Sequence, residues 1–469
     1  MSRKLAALAL VYLFATAQVA AAASVPITRE TQKDVMVTIY NGNLGLVKDT
    51  REIRLPTGTN EVQFMEVAAQ IDPTTVHLRS LTDPAGLRIL EQNYEYDLIS
   101  SQKLLEKYVG RKVRLYGNDG TYHEATLLST NGPVYDINGQ IHLGHYGRVV
   151  LPALPDNLVS QPTLKWLLRN QTDRTQRVEA SYLTGGITWR ADYVMVINAS
   201  DSKTDLTGWV TVDNKSGATF GNAALKLVAG DVNRARDVRR EGRMLDIAAK
   251  AASPAAASQE FIAEGLFEYH LYTLDGRTTI KENQTKQLTL MSAADVPVKK
   301  ELIYYGAQEY YRNAYGMPVS NQKVAAYLEI RNTKENRLGL PLPKGKVRVY
   351  KADSAGSQQF IGEDWIDHTA KDERVKIKLG NAFDVVAERT QKDWRKIGGN
   401  LYEVEWEISL RNHKTEAQTV TVIEPVPGDW QMLASTHAWE KVEAHTLKYE
   451  IAVPKEGAVK LTYRVRLKF

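Results

Sequence analysis

The residues best suited to chemistry lie in GEDWIDHTAKDE, Gly362 to Glu373, which holds five carboxylates, a histidine and a tryptophan. A pair of such acids (Glu363, Asp364, Asp367, Asp372 or Glu373) could perform general acid–base work, as in an envelope hydrolase. Asp367 and His368 could supply metal ligands. However, neighbours on a strand point to opposite faces, and neither spacing is a ligand motif. The competing role is a charged turn. A small turn followed by apolar alternation recurs in LPTGTNEVQF, NQTKQLTL and VPKEGAVKLTY without any acid–histidine cluster. HTAKDERVKIKL occupies the same kind of slot, with Val375, Ile377 and Leu379 going inward. We therefore expect a turn in which His368 or Thr369 bonds the backbone. We expect no catalytic residue, no metal and no cofactor, and keep Glu363, Asp364, Asp367 and His368 as binding candidates.

A second set is ELIYYGAQEYYRNAYG, with Tyr304, Tyr305, Tyr310, Tyr311 and Tyr315. Tyrosines offer flat amphipathic surface, which suits glycan or protein contacts as well as strand packing. His142 and His145 stand three apart in HLGH, in a turn rather than on a helix, which argues against a metal pair. In TWRADY, Trp189, Ala191 and Tyr193 share one face and Arg190 and Asp192 the other, a core strand with an ion pair. The chain contains no GxSxG, P-loop, HExxH or GxGxxG.

The elements that must position these residues are strands. YEVEWEISLRN alternates Val404, Trp406, Ile408 and Leu410 with polar residues, and the closing VKLTYRVRLKF does the same. A strand with one buried and one wet face has this period. VMVTIY, KVRLY, YVMVIN, WVTVDN, KVRVY and VKIKL repeat it between turn signals. The expectation is an all-β fold of tandem antiparallel, Ig-like β-sandwiches. Several strands end in an apolar-x-Asn-x-[Lys/Thr/Ser] pattern, at Asn170, Asn214, Asn332 and Asn412. Asparagine tolerates left-handed backbone and caps its own turn.

Two segments break the pattern. DLISSQKLLEKYVG predicts a short helix opened by Asp97, and the strands after it suit a small SH3-like barrel. Asn233 to Glu260 is Arg-rich, then Ala/Ser-rich, and predicts a long flexible loop. The expected organisation is 24–96, an N-terminal β domain; 97–158, helix plus barrel; 159–318, a sandwich carrying the 233–260 loop; and 319–469, a C-terminal sandwich.

At 469 residues, the chain is too long for one ordinary core. Its 60 Lys and Arg against 55 Asp and Glu give a net charge of +5 with no long single-sign run, so no nucleic-acid footprint is expected. MSRKLAALALVYLFATAQVAAAAS has a basic start, a short apolar core and an Ala21-Ala22-Ala23 site. This predicts a Sec signal peptide over 1–23, cleaved near Ala23–Ser24, with no transmembrane helix remaining. The chain has no cysteine, so neither disulfides nor thiol chemistry is available. The address expected is periplasmic or secreted.

NTKENRLGLPLPKGKVRVYK, FIGEDWIDHTAKDERVKIKLGNAFDVVAERTQ and LTYRVRLKF, with GGITWRADYVMVIN and LTGWVTVDNKSGATFGNAALKLVAGDV upstream, resemble the bacterial domain of unknown function 4139 family. That domain is also found in proteins of the mucoidy inhibitor A type. The resemblance spans about Leu164 to Phe469. It implies a β-sandwich and an exported protein, and brings no activity and no catalytic residues. Together these observations point to an envelope protein with a structural or binding role, its partner an envelope protein or cell-wall glycan. The alternatives are a hydrolase built on Glu363–Glu373 and a glycan- or peptidoglycan-binding module built on the 304–315 tyrosines.

Overall fold

The computed structural model describes residues 24–95, 99–117, 120–144, 147–155, 159–230, 232–233, 261–315 and 323–469. The signal segment, Asp97, His145 and residues 234–260 of the expected loop lie outside the described residues. Among those described, 31 strands accompany a single α-helix, so the all-β class holds. Every alternating stretch named above is a strand.

The chain divides into two compact units, each discontinuous in sequence. The first comprises residues up to Val37, Leu46–Gly186 and Ser216–Ala223; the second comprises Thr38–Gly45, Ile187–Lys215 and Ala224–Phe469.

In the first unit, one sheet runs in the order Val25–Ile27, Gly58–Met65, Thr163–Asn170, Leu87–Glu95. Thr163–Asn170 is antiparallel to both of its neighbours. The stretch beginning at 159 thus completes the sheet of the stretch ending at 96, and the helix-plus-barrel segment is inserted between two strands of one sheet. Alternation buries Leu164, Trp166 and Leu168 against Val62 and Phe64. Phe64 and Trp166 meet edge to face, centroids 5.6 Å apart. Within the insertion, the helix is Ser101–Tyr108, and its cap is Ser100 rather than Asp97. The Ser100 Oγ accepts the Lys103 N–H at 3.2 Å. The five antiparallel strands here enclose Tyr108, Val113, Leu115, Ala125, Leu127, Tyr135 and Ile137.

The second unit holds a five-stranded sheet ordered Gln284–Pro297, Lys203–Asn214, Ile187–Ile197, Gly345–Ala352, Gln358–Ile366. It also holds a nine-stranded sheet running from Asp429–Ser435 at one end to Glu440–Glu443 at the other. Only four residues join those two end strands. The rings of Trp430, on the first of them, and Trp439, the last joining residue, lie 5.9 Å apart, and Trp430 Nε1 donates to the Ala444 carbonyl, just past the second, at 3.0 Å. The sheet therefore rolls enough for its end strands to approach at this corner, around a core of Trp406, Ile408, Val420, Leu461 and their neighbours.

The four strand-ending asparagines meet the sequence expectation in part: Asn170 donates to the Thr172 carbonyl and Asn412 accepts the Lys414 N–H, each within its own turn, but the left-handed backbone is not used. None has positive φ, and all are buried. Each side chain reaches across to hold a neighbouring segment. Asn170 donates to the carbonyls of Leu55 (2.7 Å) and Pro56 (3.1 Å), Asn214 to Ile280 and Lys281, Asn332 to Leu340 and Ala370, and Asn412 to Glu416 and Pro454. An amide suits this task because one group donates twice and still accepts.

Candidate functional site

GEDWIDHTAKDE divides between two settings. Glu363, Asp364 and Trp365 lie on the strand Gln358–Ile366, outside the turn. The turn proper is Asp367 to Glu373. It is fastened by a two-way bridge between Thr369 and Leu342 (2.8 and 2.9 Å), by Thr369 Oγ1 donating to the Asp367 carbonyl at 2.9 Å, and by His368 Nδ1 accepting the Lys344 N–H at 3.1 Å. Asp372 adopts φ +68°, a left-handed position where a short polar residue is tolerated. Its N–H donates to the Asn332 carbonyl, and the Asn332 N–H donates to Glu373. His368 and Thr369 thus bond the backbone, and Asp367 points to solvent with Lys344 3.7 Å away.

Asp364 Oδ2 accepts the Lys378 N–H at 2.7 Å, lashing its strand to the start of Arg374–Gly398. On the opposite side of the same strand, Glu363 joins a ladder of charge. Cross-strand register sets Glu363 opposite Arg348 and Trp365 opposite Lys346, and Asp192 in line with Lys346. Residues directly across a pair point the same way, so these side chains share one sheet face. Glu363 meets Lys346 at 3.0 Å and Arg348 at 3.5 Å. Arg348 reaches Asp192 at 3.3 Å. Asp192 meets Arg190 at 3.4 Å, and Arg190 meets Asp213 at 2.8 Å. The Thr211 hydroxyl donates to Asp192 at 2.9 Å. Trp365 is 60% exposed, with the Lys346 ammonium 5.4 Å over its ring. The sequence singled out Arg190, Asp192 and Glu363 separately. What joins them is the parallel pairing of Ile187–Ile197 with Gly345–Ala352, a contact between stretches some 150 residues apart that no local pattern reveals.

The tyrosines do not form one surface. Tyr304 and Tyr311 are fully buried, Tyr305 is partly exposed, and Tyr310 packs on the core edge with its ring 5.1 Å from Tyr315. Tyr311 leads to a group that sequence reading missed. Arg389 and Glu424, both with fully buried side chains, pair at 2.9 Å in the heart of the rolled sheet. The Tyr463 hydroxyl donates to the same Glu424 oxygen at 2.6 Å, and Arg389 Nη2 also reaches the Tyr311 hydroxyl at 3.2 Å. The guanidinium stacks 3.4 Å from the Trp406 ring centroid. Burial raises the Glu424 carboxyl above the ordinary glutamate range, against the pull of Arg389 and the two hydroxyls. Burial works against charge on Arg389 too, but Glu424, Tyr463 and Tyr311 together outweigh it and hold the guanidinium firmly protonated. A side chain on Gly306 would collide with the Glu424 carboxylate, so that glycine makes the room. The signal available in sequence was the interruption of apolar alternation by Arg389 in DVVAERTQ and by Glu424 in TVTVIEPV, each where an inward apolar residue belongs.

Among the described residues, no group of three or more His, Asp or Glu side chains is placed to hold a metal ion, and no helix is long and apolar enough to cross a membrane. The family profile titled Domain of unknown function (DUF4139) matches residues 178–469, well over half of the chain. No curated protein matches it.

Proposed function

The chain belongs to the DUF4139 family, and from that premise we propose that it is an exported protein of the bacterial envelope whose sheet faces hold a partner. Export rests on the basic, apolar and small-residue segments of its first 23 residues. The binding role rests on how the acids of the 362–373 stretch are used. Glu363 is matched to two cations, and Asp364 accepts the N–H groups of Trp365 and Lys378. A general acid or base needs a proton it can exchange with a substrate; these carboxylates are structural members of an ion ladder and a strand clamp. Trp365, Phe360 and Phe383 stand exposed on the strands beside them.

Cell fractionation with intact-mass measurement tests export. The expected product sits in the envelope fraction and begins at or within a few residues of Ser24. Recovery of the full precursor in the cytoplasm would overturn this part of the reading. A photo-crosslinker at Phe383, which is 93% exposed, tests the partner: adducts should form in intact cells. If instead the purified protein cleaved envelope polymers and Glu363→Gln abolished the cleavage, the hydrolase alternative would replace the binding role.

A further inference from the structure

The ion ladder on the five-stranded sheet has a charge balance that selects among ligands. Its acids are Asp192, Asp213 and Glu363, and its bases are Arg190, Arg348 and Lys346, three of each. A polyanion or polycation would therefore find no net attraction here. An uncharged ligand rich in hydroxyls would find fixed donors and fixed acceptors side by side.

These groups are also held in place before anything binds. Glu363 is gripped by Lys346 and Arg348, and Asp192 by Arg348, Arg190 and Thr211. Yet the side chains of Glu363, Arg348 and Lys346 remain 41%, 36% and 25% exposed, so each keeps hydrogen-bonding capacity toward solvent. Side chains already ordered lose little rotamer freedom on binding. At the outer strand, Trp365 adds a broad aromatic surface fixed beside Lys346. Trp365 is flanked by balanced charges, and Glu363 and Arg348 separate it from the next exposed ring on the strand, Phe360; such a broken surface is a poor fit to an apolar protein patch, which wants contiguous hydrophobic area. It fits a pyranose, whose C–H face packs on a ring while its hydroxyls bond to the flanking charges.

We propose that this face, centred on Trp365, Glu363 and Arg348, binds a neutral oligosaccharide. The proposal rests on the binding role argued above and names its ligand class. From the Asp192 strand to the Trp365 strand is two strand spacings, roughly 10 Å, enough for a disaccharide unit of a longer chain.

The test uses the purified mature chain with cellohexaose and chitohexaose, both neutral, and an oligogalacturonate of equal length as the anionic control. Binding is read by calorimetry and tryptophan fluorescence. At least one neutral hexamer should bind, and Trp365→Ala should weaken it roughly tenfold or more without moving the melting temperature. Arg348→Met should weaken it too, while Leu143→Ala, an exposed apolar residue of the inserted barrel, should leave it unchanged. The proposal is overturned if neither neutral hexamer binds at millimolar concentration, if Trp365→Ala binds as well as wild type, or if the oligogalacturonate binds more tightly. Fractionation and Phe383 crosslinking of the same strain separate the two ideas. A chain found processed in the envelope with crosslinked partners, but blind to these sugars, removes the sugar and keeps the binding role.

Discussion

Among the described residues, each unit buries one arginine–carboxylate pair, and the two pairs are built differently. In the first unit, Arg51 and Asp49 lie two residues apart on one strand, so they share a face. Nε and Nη2 of Arg51 both bond the Asp49 carboxylate, Nη1 donates to the Ile27 carbonyl at 2.8 Å, and the guanidinium covers Phe64 at 3.8 Å. In the second unit, Arg389 and Glu424 come from different strands. Only Nη2 of Arg389 is hydrogen-bonded; Nε, Nη1 and the second Glu424 oxygen have no partner among the described residues. Both arginines rest on an aromatic ring, but only the first has its fork fully used. Burying two charges is repaid only when geometry and the remaining hydrogen bonds are good. The first pair is a satisfied clamp on the Ile27 strand, and the second is a cross-strand tie that leaves polar atoms unmet.

The largest effects should come from breaking these ties on one side. Glu424→Ala leaves a buried, uncompensated guanidinium and should cost about 3–5 kcal/mol in denaturant unfolding. Asp49→Ala should cost a similar amount. The double replacements separate the pairs. Arg389→Met with Glu424→Leu removes an imperfect pair and its orphaned atoms, and should recover most of the loss. Arg51→Met with Asp49→Leu leaves the Ile27 carbonyl unmet and should remain about 1–3 kcal/mol below wild type. Equal recovery in the two units would refute the distinction.

Next in size is Asn332. Its amide donates to Leu340 and Ala370 and accepts the Gly339 N–H at 2.9 Å, all under a fully buried side chain. Asn332→Ala strands these backbone groups and should cost about 2–3 kcal/mol. The turn it holds, Asp367 to Glu373, should loosen with it, visible as faster amide exchange at Thr369 and Asp372.

Two acids of the second unit, Glu424 and Asp201, should differ in their response to acid. Because burial raises the Glu424 carboxyl, the folded chain keeps a proton there at a pH where the unfolded chain has lost it. Stability from this group therefore rises as pH falls from the raised folded value toward the ordinary glutamate value, and is lost as pH rises through that window. The slope is at most about 1.4 kcal/mol per pH unit. Asp201, gripped by Lys300 and Lys351, has the opposite sign: burial alone would raise it, but the two lysines hold it below the ordinary range. Its contribution is present above the unfolded value and disappears as pH falls through the folded one. Unfolding measured from pH 7 to about pH 2 should show Glu424→Gln removing the first slope and Asp201→Asn removing the second, which falls below about pH 4. A Glu424→Gln profile parallel to wild type would contradict the assignment.

Strands were legible because alternation is a local consequence of a two-residue period: KVRLY, WVTVDN and the 402–412 run fold as read. Two kinds of feature were not. Pairing between distant stretches is invisible to a window of ten residues, which is why Thr163–Asn170 was assigned to a later domain although it sits between Gly58–Met65 and Leu87–Glu95. Buried charge reads as solvent-facing charge, so Arg389 and Glu424 passed as ordinary polar residues. The 362–373 stretch was half legible. Its turn residues matched the expected backbone bonds, but Glu363 belongs to a sheet-face ladder assembled from three separate parts of the chain.

The smallest effects belong to that turn, and they sharpen the contrast between buried and solvent-facing polar groups. His368→Ala removes an exposed acceptor for the Lys344 N–H, which water can replace, so the cost should stay at or below about 1 kcal/mol. Asp372 is a finer case. Its carboxylate is 63% exposed, and its one ion pair, to the adjacent Lys371, spans 3.6 Å, so the charge itself contributes little. Its backbone, however, sits at φ +68°, where a Cβ is disfavoured and glycine is not. Asp372→Asn should therefore change stability by less than about 0.5 kcal/mol, Asp372→Gly should be neutral or slightly stabilising, and Asp372→Ala should be the worst of the three. Melting curves with and without zinc or calcium should superimpose for wild type and all three variants. If the order were set by charge instead, with Asn as costly as Ala and the difference growing with added metal, the acid would be a ligand, and the 362–373 stretch would have to be read as a site after all.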